Sequence, residues 1–184
     1  LVLLPGRLTG WKGQNLFIEA AKDLKKENKL SNIFFIILGG EDTKKNYKQQ
    51  LTDLIYSYKL VDKVRTMEPL SDMPLAYSFC NLIVSASIEP EAFGRVSVEA
   101  QAMEKPILAS AIGGSKETII DQETGWVIEP NNIQALANKI FDISKMNSEK
   151  LSAMGKLGRK NVLQHYTQDQ MCLKTLEIYQ SLVY

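Results

Sequence analysis

The sequence predicts an α/β fold, a doubly wound Rossmann-like parallel sheet of about six strands with helices on both faces. Two observations carry this prediction. Short apolar runs alternate along the chain with stretches whose apolar residues recur at helical spacing. The apolar runs are also continuous rather than alternating with polar residues, which is typical of strands buried on both faces. Right-handed crossovers between such strands then generate the doubly wound arrangement.

The predicted strands are six short apolar runs in chain order. Their bounds are residues 1–4, 33–38, 64–67, 82–86, 107–110 and 126–128. Between the first two runs, residues 14–28 carry apolar side chains on one helical face. Residues 44–58 repeat that pattern between the second and third runs.

The remaining helices follow from local signals as well as periodicity. Residues 71–74 read Ser-Asp-Met-Pro, an N-cap followed by a proline in the first turn, and predict a helix start. Residues 95–103 form a further helix that Lys105-Pro106 closes. Three helices in succession, at residues 136–144, 148–166 and 168–183, follow the last strand.

Composition narrows the class of protein. The 184 residues carry 22 Lys and Arg against 21 Asp and Glu, a net charge of +1, so no basic face for duplex nucleic acid is expected. With 45% hydrophobic and 23% charged residues, we expect one globular domain spanning residues 1–184. Cys80 and Cys172 form neither a disulfide framework nor a zinc site, and we expect reduced thiols in a cytosolic protein. The chain opens within a strand without an initiator Met, as a piece of a longer protein would.

Ligands on such sheets bind beyond the carboxyl ends of the strands. The loops at that edge are residues 5–13, 39–43, 67–71, 85–94 and 111–116. In the first of them, Arg7 and Lys12 lie in a glycine-bearing loop that opens a helix, where backbone N–H groups and two cations favour an anion such as a phosphate. The alternative for this loop is a pair of solvated surface cations.

The fourth loop and the helix after it carry two carboxylates, Glu91 and Glu99. An ionised carboxylate only accepts hydrogen bonds, so it pairs with the vicinal hydroxyls of a sugar or ribose. Gly94 between them would let a ligand approach the backbone closely. A surface role for either carboxylate is the alternative. Gly113-Gly114 in the last loop either cradles a polar ligand or forms a tight turn.

These segments together resemble the C-terminal, donor-nucleotide-binding domain of GT-B glycosyltransferases, and are most similar to the retaining glycosyltransferase family 4, or group 1 family. The resemblance covers nearly the whole chain. It rests on an ordered series of motifs: Gly6-Arg7-Leu8 with Lys12-Gly13, Gly39-Gly40, the E-x7-E spacing of Glu91 and Glu99, the G-G-x-x-E of 113–117, and 124–130. The fold it implies is one half of a GT-B structure.

The resemblance also implies roles for individual residues. Arg7 and Lys12 would bind the diphosphate and stabilise charge on the leaving nucleoside diphosphate, Glu91 would hold hydroxyls of the donor sugar, and Glu99 would bind the ribose. Arg7, Lys12 and Glu91 are therefore the candidate catalytic residues. The candidate donor-binding residues are Gly6, Thr66, Met67, Ala92, Phe93, Gly94, Arg95, Val96 and Glu99. Such enzymes need neither a metal nor a cofactor, because the cations stabilise the leaving group.

The implied partners are a nucleotide-sugar donor such as a UDP- or GDP-sugar, an N-terminal domain absent from this chain, and a glycan or glycolipid acceptor bound through that domain. The implied product belongs to the cell envelope, for example lipopolysaccharide, made in the cytoplasm or at the inner face of the membrane. A nucleotide-sugar binding fragment without turnover and a GT-B sugar-nucleotide epimerase are the alternatives. The final helix would either meet the absent domain or pack in the core through Met171, Leu176 and Tyr179.

Overall fold

A computed structural model describes residues 1–41 and 46–183 of the chain. Its centre is a six-stranded sheet in the order β3-β2-β1-β4-β5-β6, and every neighbouring pair is parallel. The strands are β1 (Val2–Pro5), β2 (Phe35–Leu38), β3 (Val64–Met67), β4 (Leu82–Ser85), β5 (Ile107–Ser110) and β6 (Trp126–Ile128). The predicted α/β fold class is confirmed.

Helices cover both faces of this sheet. The α-helices of the described residues are α1 (Gln14–Lys26), α2 (Tyr47–Ser57), α3 (Met73–Phe79), α4 (Arg95–Ala102), α5 (Ser115–Thr118), α6 (Ile133–Ser144), α7 (Ser148–His165) and α8 (Gln168–Val183). Successive residues of a strand point to opposite faces. Accordingly, Val2 and Leu4 belong to an apolar cluster with α1, α2 and α6, whereas Leu3 belongs to a second cluster with α3 and α4.

Element ends differ from the predicted ones by a few residues, for local reasons. Helix α6 begins at Ile133 rather than 136 because the Asn132 side chain caps it, accepting a 2.9 Å hydrogen bond from the Ala135 amide. The run 33–38 pairs as a strand only from Phe35, since Ile33 is buried without joining the sheet ladder. The predicted helix start at residue 44 and the end of the loop 39–43 lie outside the described residues.

The strand order creates a switch point between β1 and β4. The chain runs from β1 to β2 and β3 on one side and returns to β4 on the other, so the loops after β1 and β4 diverge from a shared crevice. Both loops had been singled out from the sequence. Within the described residues, no helix is long and apolar enough to cross a bilayer.

Candidate functional site

A cleft of about 580 Å³ opens at the carboxyl ends of β1 and β4. This volume lies within the range of small-molecule sites. Ten of the twelve predicted site residues line it: Gly6, Arg7, Lys12, Glu91, Ala92, Phe93, Gly94, Arg95, Val96 and Glu99. The structure therefore brings together residues from the β1–α1 loop, the β4–α4 loop and the first turns of α4.

The β1–α1 loop is fixed by backbone and side-chain contacts. The Gly6 amide donates to the Leu38 carbonyl at 2.9 Å, so the loop continues the pairing of β1 with β2. The buried Gln14 amide group donates to the Arg7 carbonyl at 2.9 Å, and the Arg7 side chain remains exposed. The chain then forms a short 3-10 helix over Gly10–Lys12, which places Lys12 at the cleft.

Lys12 and Glu91 form an ion pair across the cleft. The Nζ of Lys12 lies 2.8 Å from Oε2 of Glu91, and the two side chains are only 15% and 11% exposed. The hydroxyl of Ser87, two residues after β4, donates to the other oxygen, Oε1. The Lys12 ammonium also lies 4.5 Å from the ring centroid of Trp11. Glu91, which is predicted to bind the sugar, thus contacts Lys12, which is predicted to bind the phosphate.

Glu99 is held at both oxygens as well. The Tyr77 hydroxyl on α3 donates to Oε2 at 2.9 Å, and Nη2 of Arg95 donates to Oε1 at 2.9 Å. Burial raises the pKa of the Tyr77 phenol, and the neighbouring Glu99 carboxylate raises that pKa further. The phenol therefore stays protonated and acts as a hydrogen-bond donor.

Gly113 and Gly114, in the connection between β5 and α5, pack against the backbone of the loop that contains Glu91. The Gly114 amide donates to the Glu91 carbonyl at 2.9 Å. Gly113 has φ of +56°, and a Cβ there would lie 2.6 Å from the Glu91 amide nitrogen. A Cβ on Gly114 would lie 2.7 Å from Cα of Phe93. Of the two interpretations left open, the tight turn fits these contacts, since the pair packs on protein backbone.

Thr66 and Met67 are not among the residues that line the cleft. They end β3, an edge strand separated from β1 by β2, and Met67 is 44% exposed. Sequence reasoning also missed residues that the cleft depends on, namely Tyr77, Ser87 and Trp11. Trp11 and Ser87 lie within the predicted loops 5–13 and 85–94 without a role of their own there, and Tyr77 lies on the separate helix α3, so spacing alone could not assign their contacts. Among the described residues, no cluster of three His, Cys, Asp or Glu could hold a metal.

The fold and the residues that line the cleft together indicate the class of protein. An open parallel sheet whose switch point carries cations and carboxylates is typical of α/β domains that bind nucleotides. The family model for glycosyl transferases group 1 matches residues 1–161. The chain belongs to that family.

Known relatives agree with this assignment. A glycosyltransferase from Rickettsia africae is 35% identical and superposes with a TM-score of 0.90 over 99% of this chain and 47% of its own. Anabaena Alr3699/HepE, solved in complex with UDP, is 26% identical with a TM-score of 0.88 over 98% of this chain and 48% of its own. The capsular polysaccharide biosynthesis glycosyltransferase CapM of Staphylococcus aureus is 29% identical over 158 residues, which are 85% of this chain and 40% of CapM. The chain spans about half the length of the curated relatives it matches.

Proposed function

We propose that this chain binds a nucleoside diphosphate sugar, and that the longer protein of which it is part transfers the hexosyl group to a glycan or lipid acceptor with retention of configuration. The observation that carries the proposal is the single cleft in which Arg7, Lys12, Glu91 and Glu99 meet. A nucleotide sugar presents anionic phosphates and two sets of vicinal hydroxyls, and these side chains complement both chemistries.

The phosphates are assigned to the β1–α1 loop. Arg7 is exposed at the cleft and presents a guanidinium that can hold a phosphate through two hydrogen bonds. Lys12 adds a second positive charge, although Glu91 already pairs with it. Charge on the diphosphate grows as the bond to the sugar breaks, so these cations stabilise the transition state more than the bound donor.

Glu91 is assigned to the sugar hydroxyls rather than to nucleophilic attack. Both of its oxygens accept hydrogen bonds, from Ser87 and Lys12, which favours a held acceptor over an attacking group. Glu99 is assigned to the ribose on the resemblance, and it lies one helical turn beyond Arg95 on the same cleft wall. Thr66 and Met67 are assigned to the base, on the resemblance alone.

The proposed second domain would meet helix α8. Its apolar residues are exposed in the described chain, with Met171 at 62%, Leu176 at 53% and Tyr179 at 64%. The alternative in which these three residues pack in the core is therefore wrong. A helix with this much exposed apolar surface is typical of an interaction face. The acceptor would bind through the domain that covers α8, in the cytoplasm or at the inner face of the membrane.

Calorimetric titration of the chain with UDP, GDP and ADP tests donor binding and identifies the base. We expect one nucleotide to bind selectively, and Arg7→Ala and Glu99→Gln each to weaken that binding. Lys156→Ala, an exposed change on α7 outside the cleft, is the matched control. Failure of all three nucleotides to bind would contradict the proposal.

Turnover is tested in the longer protein that contains this chain. The Arg7→Ala variant is expected to lose about 2.7–4 kcal/mol of transition-state stabilisation, by analogy with the loss of a single oxyanion donor. Binding without transfer would favour a binding module, and interconversion of the free nucleotide sugar would favour the epimerase. Wild-type rates for Glu91→Gln would contradict the role given to Glu91.

A further inference from the structure

Glu99, the residue proposed to bind the ribose, already accepts hydrogen bonds from two side chains of the protein. Both oxygens of Glu99 accept hydrogen bonds, one from Tyr77 and one from Arg95. If Glu99 binds the ribose hydroxyls, as the proposed function on which this inference rests requires, those hydroxyls compete with Tyr77 and Arg95 for the lone pairs of the carboxylate. The two partners differ strongly in how firmly they are held.

Tyr77 is buried, whereas Arg95 is largely exposed to solvent. The Tyr77 side chain is 1% exposed and packs in the apolar cluster beneath α4. The Arg95 side chain is 83% exposed, and its contact with Glu99 is an i,i+4 pair at the surface, a kind that contributes little to stability. Arg95 is also the first residue of α4, where the helix dipole disfavours a cation. Arg95 is therefore the partner of Glu99 that a ligand would displace more readily.

A displaced Arg95 remains at the cleft to which the phosphates are assigned. It lines the same cleft as Arg7 and Lys12. Lys12 is neutralised by Glu91, so Arg7 is the one cation of this lining that forms no ion pair within residues 1–41 and 46–183. A diphosphate carries more than one negative charge, and one unpaired cation leaves it under-compensated.

We propose that the Arg95 side chain exchanges partners when the donor binds: a ribose hydroxyl takes Oε1 of Glu99, and the released guanidinium turns to the diphosphate oxygens. The guanidinium fork suits phosphate oxygens and stays charged. In this exchange the nucleoside and the diphosphate bind cooperatively, because ribose binding frees the cation that the phosphates use. Arg95 thus selects for the intact nucleoside diphosphate over either half.

The exchange predicts different effects of removing Arg95 on two ligands. Removing Arg95 takes a competitor away from Glu99, so a nucleoside should bind with unchanged affinity or up to about twofold more tightly. The same change removes a charge-assisted hydrogen bond from the diphosphate, which should bind at least about tenfold more weakly. A side chain that merely screens Glu99 would change both affinities in one direction.

The test is an NMR titration of wild-type chain, Arg95→Ala and Arg95→Lys with whichever of UDP, GDP or ADP the wild type selects, and with the matching nucleoside. We expect Arg95→Ala to separate the two ligands as described and Arg95→Lys to restore part of the diphosphate affinity. The control is Lys156→Ala, which should change neither affinity. It removes a charge next to Gly155, at the point where α7 packs on Glu104 beyond the end of α4. Equal or same-direction effects in Arg95→Ala would overturn the exchange while leaving nucleotide binding intact. Absence of binding to the wild type would instead refute the proposed function.

Discussion

The hydroxyl of Tyr77 and the carboxylate of Glu99 connect α3 to α4 by one hydrogen bond of 2.9 Å at the wall of the cleft. Tyr77 is among the largest fully buried side chains, so its hydroxyl is fixed by the packing of its ring. A fixed donor leaves a carboxylate few orientations. Tyr77 is thus a positioning residue for Glu99.

Replacing Tyr77 with phenylalanine tests this role. We expect Tyr77→Phe to keep the ring packing but weaken nucleoside and nucleoside diphosphate binding alike, by about fivefold to thirtyfold, the equivalent of about 1–2 kcal/mol. Isothermal titration measures both affinities. Tyr56→Phe, which removes a hydroxyl from a 66% exposed ring, is the control. Wild-type affinities in Tyr77→Phe would contradict the positioning role, whereas an effect on the diphosphate alone would point to phosphate binding instead.

A second prediction concerns the support behind Glu91. Gly113→Ala forces a Cβ to within 2.6 Å of the Glu91 amide nitrogen at a positive φ, so the Glu91 loop or the glycine turn must shift. We expect a loss of about 2 kcal/mol or more in the free energy of unfolding, together with weaker nucleotide binding. Urea unfolding gives the first quantity and titration the second.

The control for that substitution lies in the other loop of the cleft. A Cβ on Gly10 has no heavy atom within 4 Å, so Gly10→Ala adds a methyl group to open space. We expect its stability and nucleotide affinity to stay near wild type. If Gly113→Ala behaved like Gly10→Ala, the glycine turn would not be what holds the Glu91 loop.

A third prediction concerns pH and lies away from the cleft. Burial alone would raise the pKa of Glu19, but hydrogen bonds from Tyr58 and Lys22 and the charge of Lys22 outweigh it and lower that pKa. The Lys22 ammonium also lies 3.9 Å from the Tyr58 ring centroid. A carboxyl whose pKa is lower in the folded state stabilises the fold above its ordinary pKa of about 4.3, and this contribution is lost as pH falls through the folded pKa.

Glu19→Gln should therefore destabilise the chain at neutral pH and lose that effect in acid. Urea unfolding of wild type and variant at steps between about pH 3 and 7 measures the difference in free energy. Glu123→Gln, at an exposed carboxylate between β5 and β6, is the control and should show a smaller pH-dependent difference. A Glu19→Gln effect that grows towards acid pH would reverse the sign and refute the linkage.

The order of elements could be predicted from the sequence because each strand is a continuous apolar run and each long helix has an apolar face. The ends of the helices and strands were harder to predict. The Asn132 side chain caps α6, so the helix starts earlier than predicted. The apolar periodicity from which this helix was predicted does not include its cap. The predicted loops did converge, since the carboxyl ends of parallel strands share one edge of the sheet.

The site was predictable only where residues form a motif along the chain. Arg7, Lys12, Glu91 and Glu99 were found in this way, and all four line the cleft. The contacts among them were not predictable, because the pairing of Lys12 with Glu91 depends on how two loops from different strands close on each other. Ser87 and Tyr77 remained hidden for the same reason.

The pairing of Lys12 with Glu91 also constrains which substitutions the proposed sugar site tolerates. Replacing Glu91 with an uncharged residue would leave the Lys12 ammonium, whose side chain is only 15% exposed, without its counter-ion. Directed evolution at position 91 alone therefore starts from a site in which the Lys12 ammonium has lost its ion-pair partner. Libraries that vary both positions together can replace the ion pair as a unit and so avoid a largely buried, unpaired ammonium.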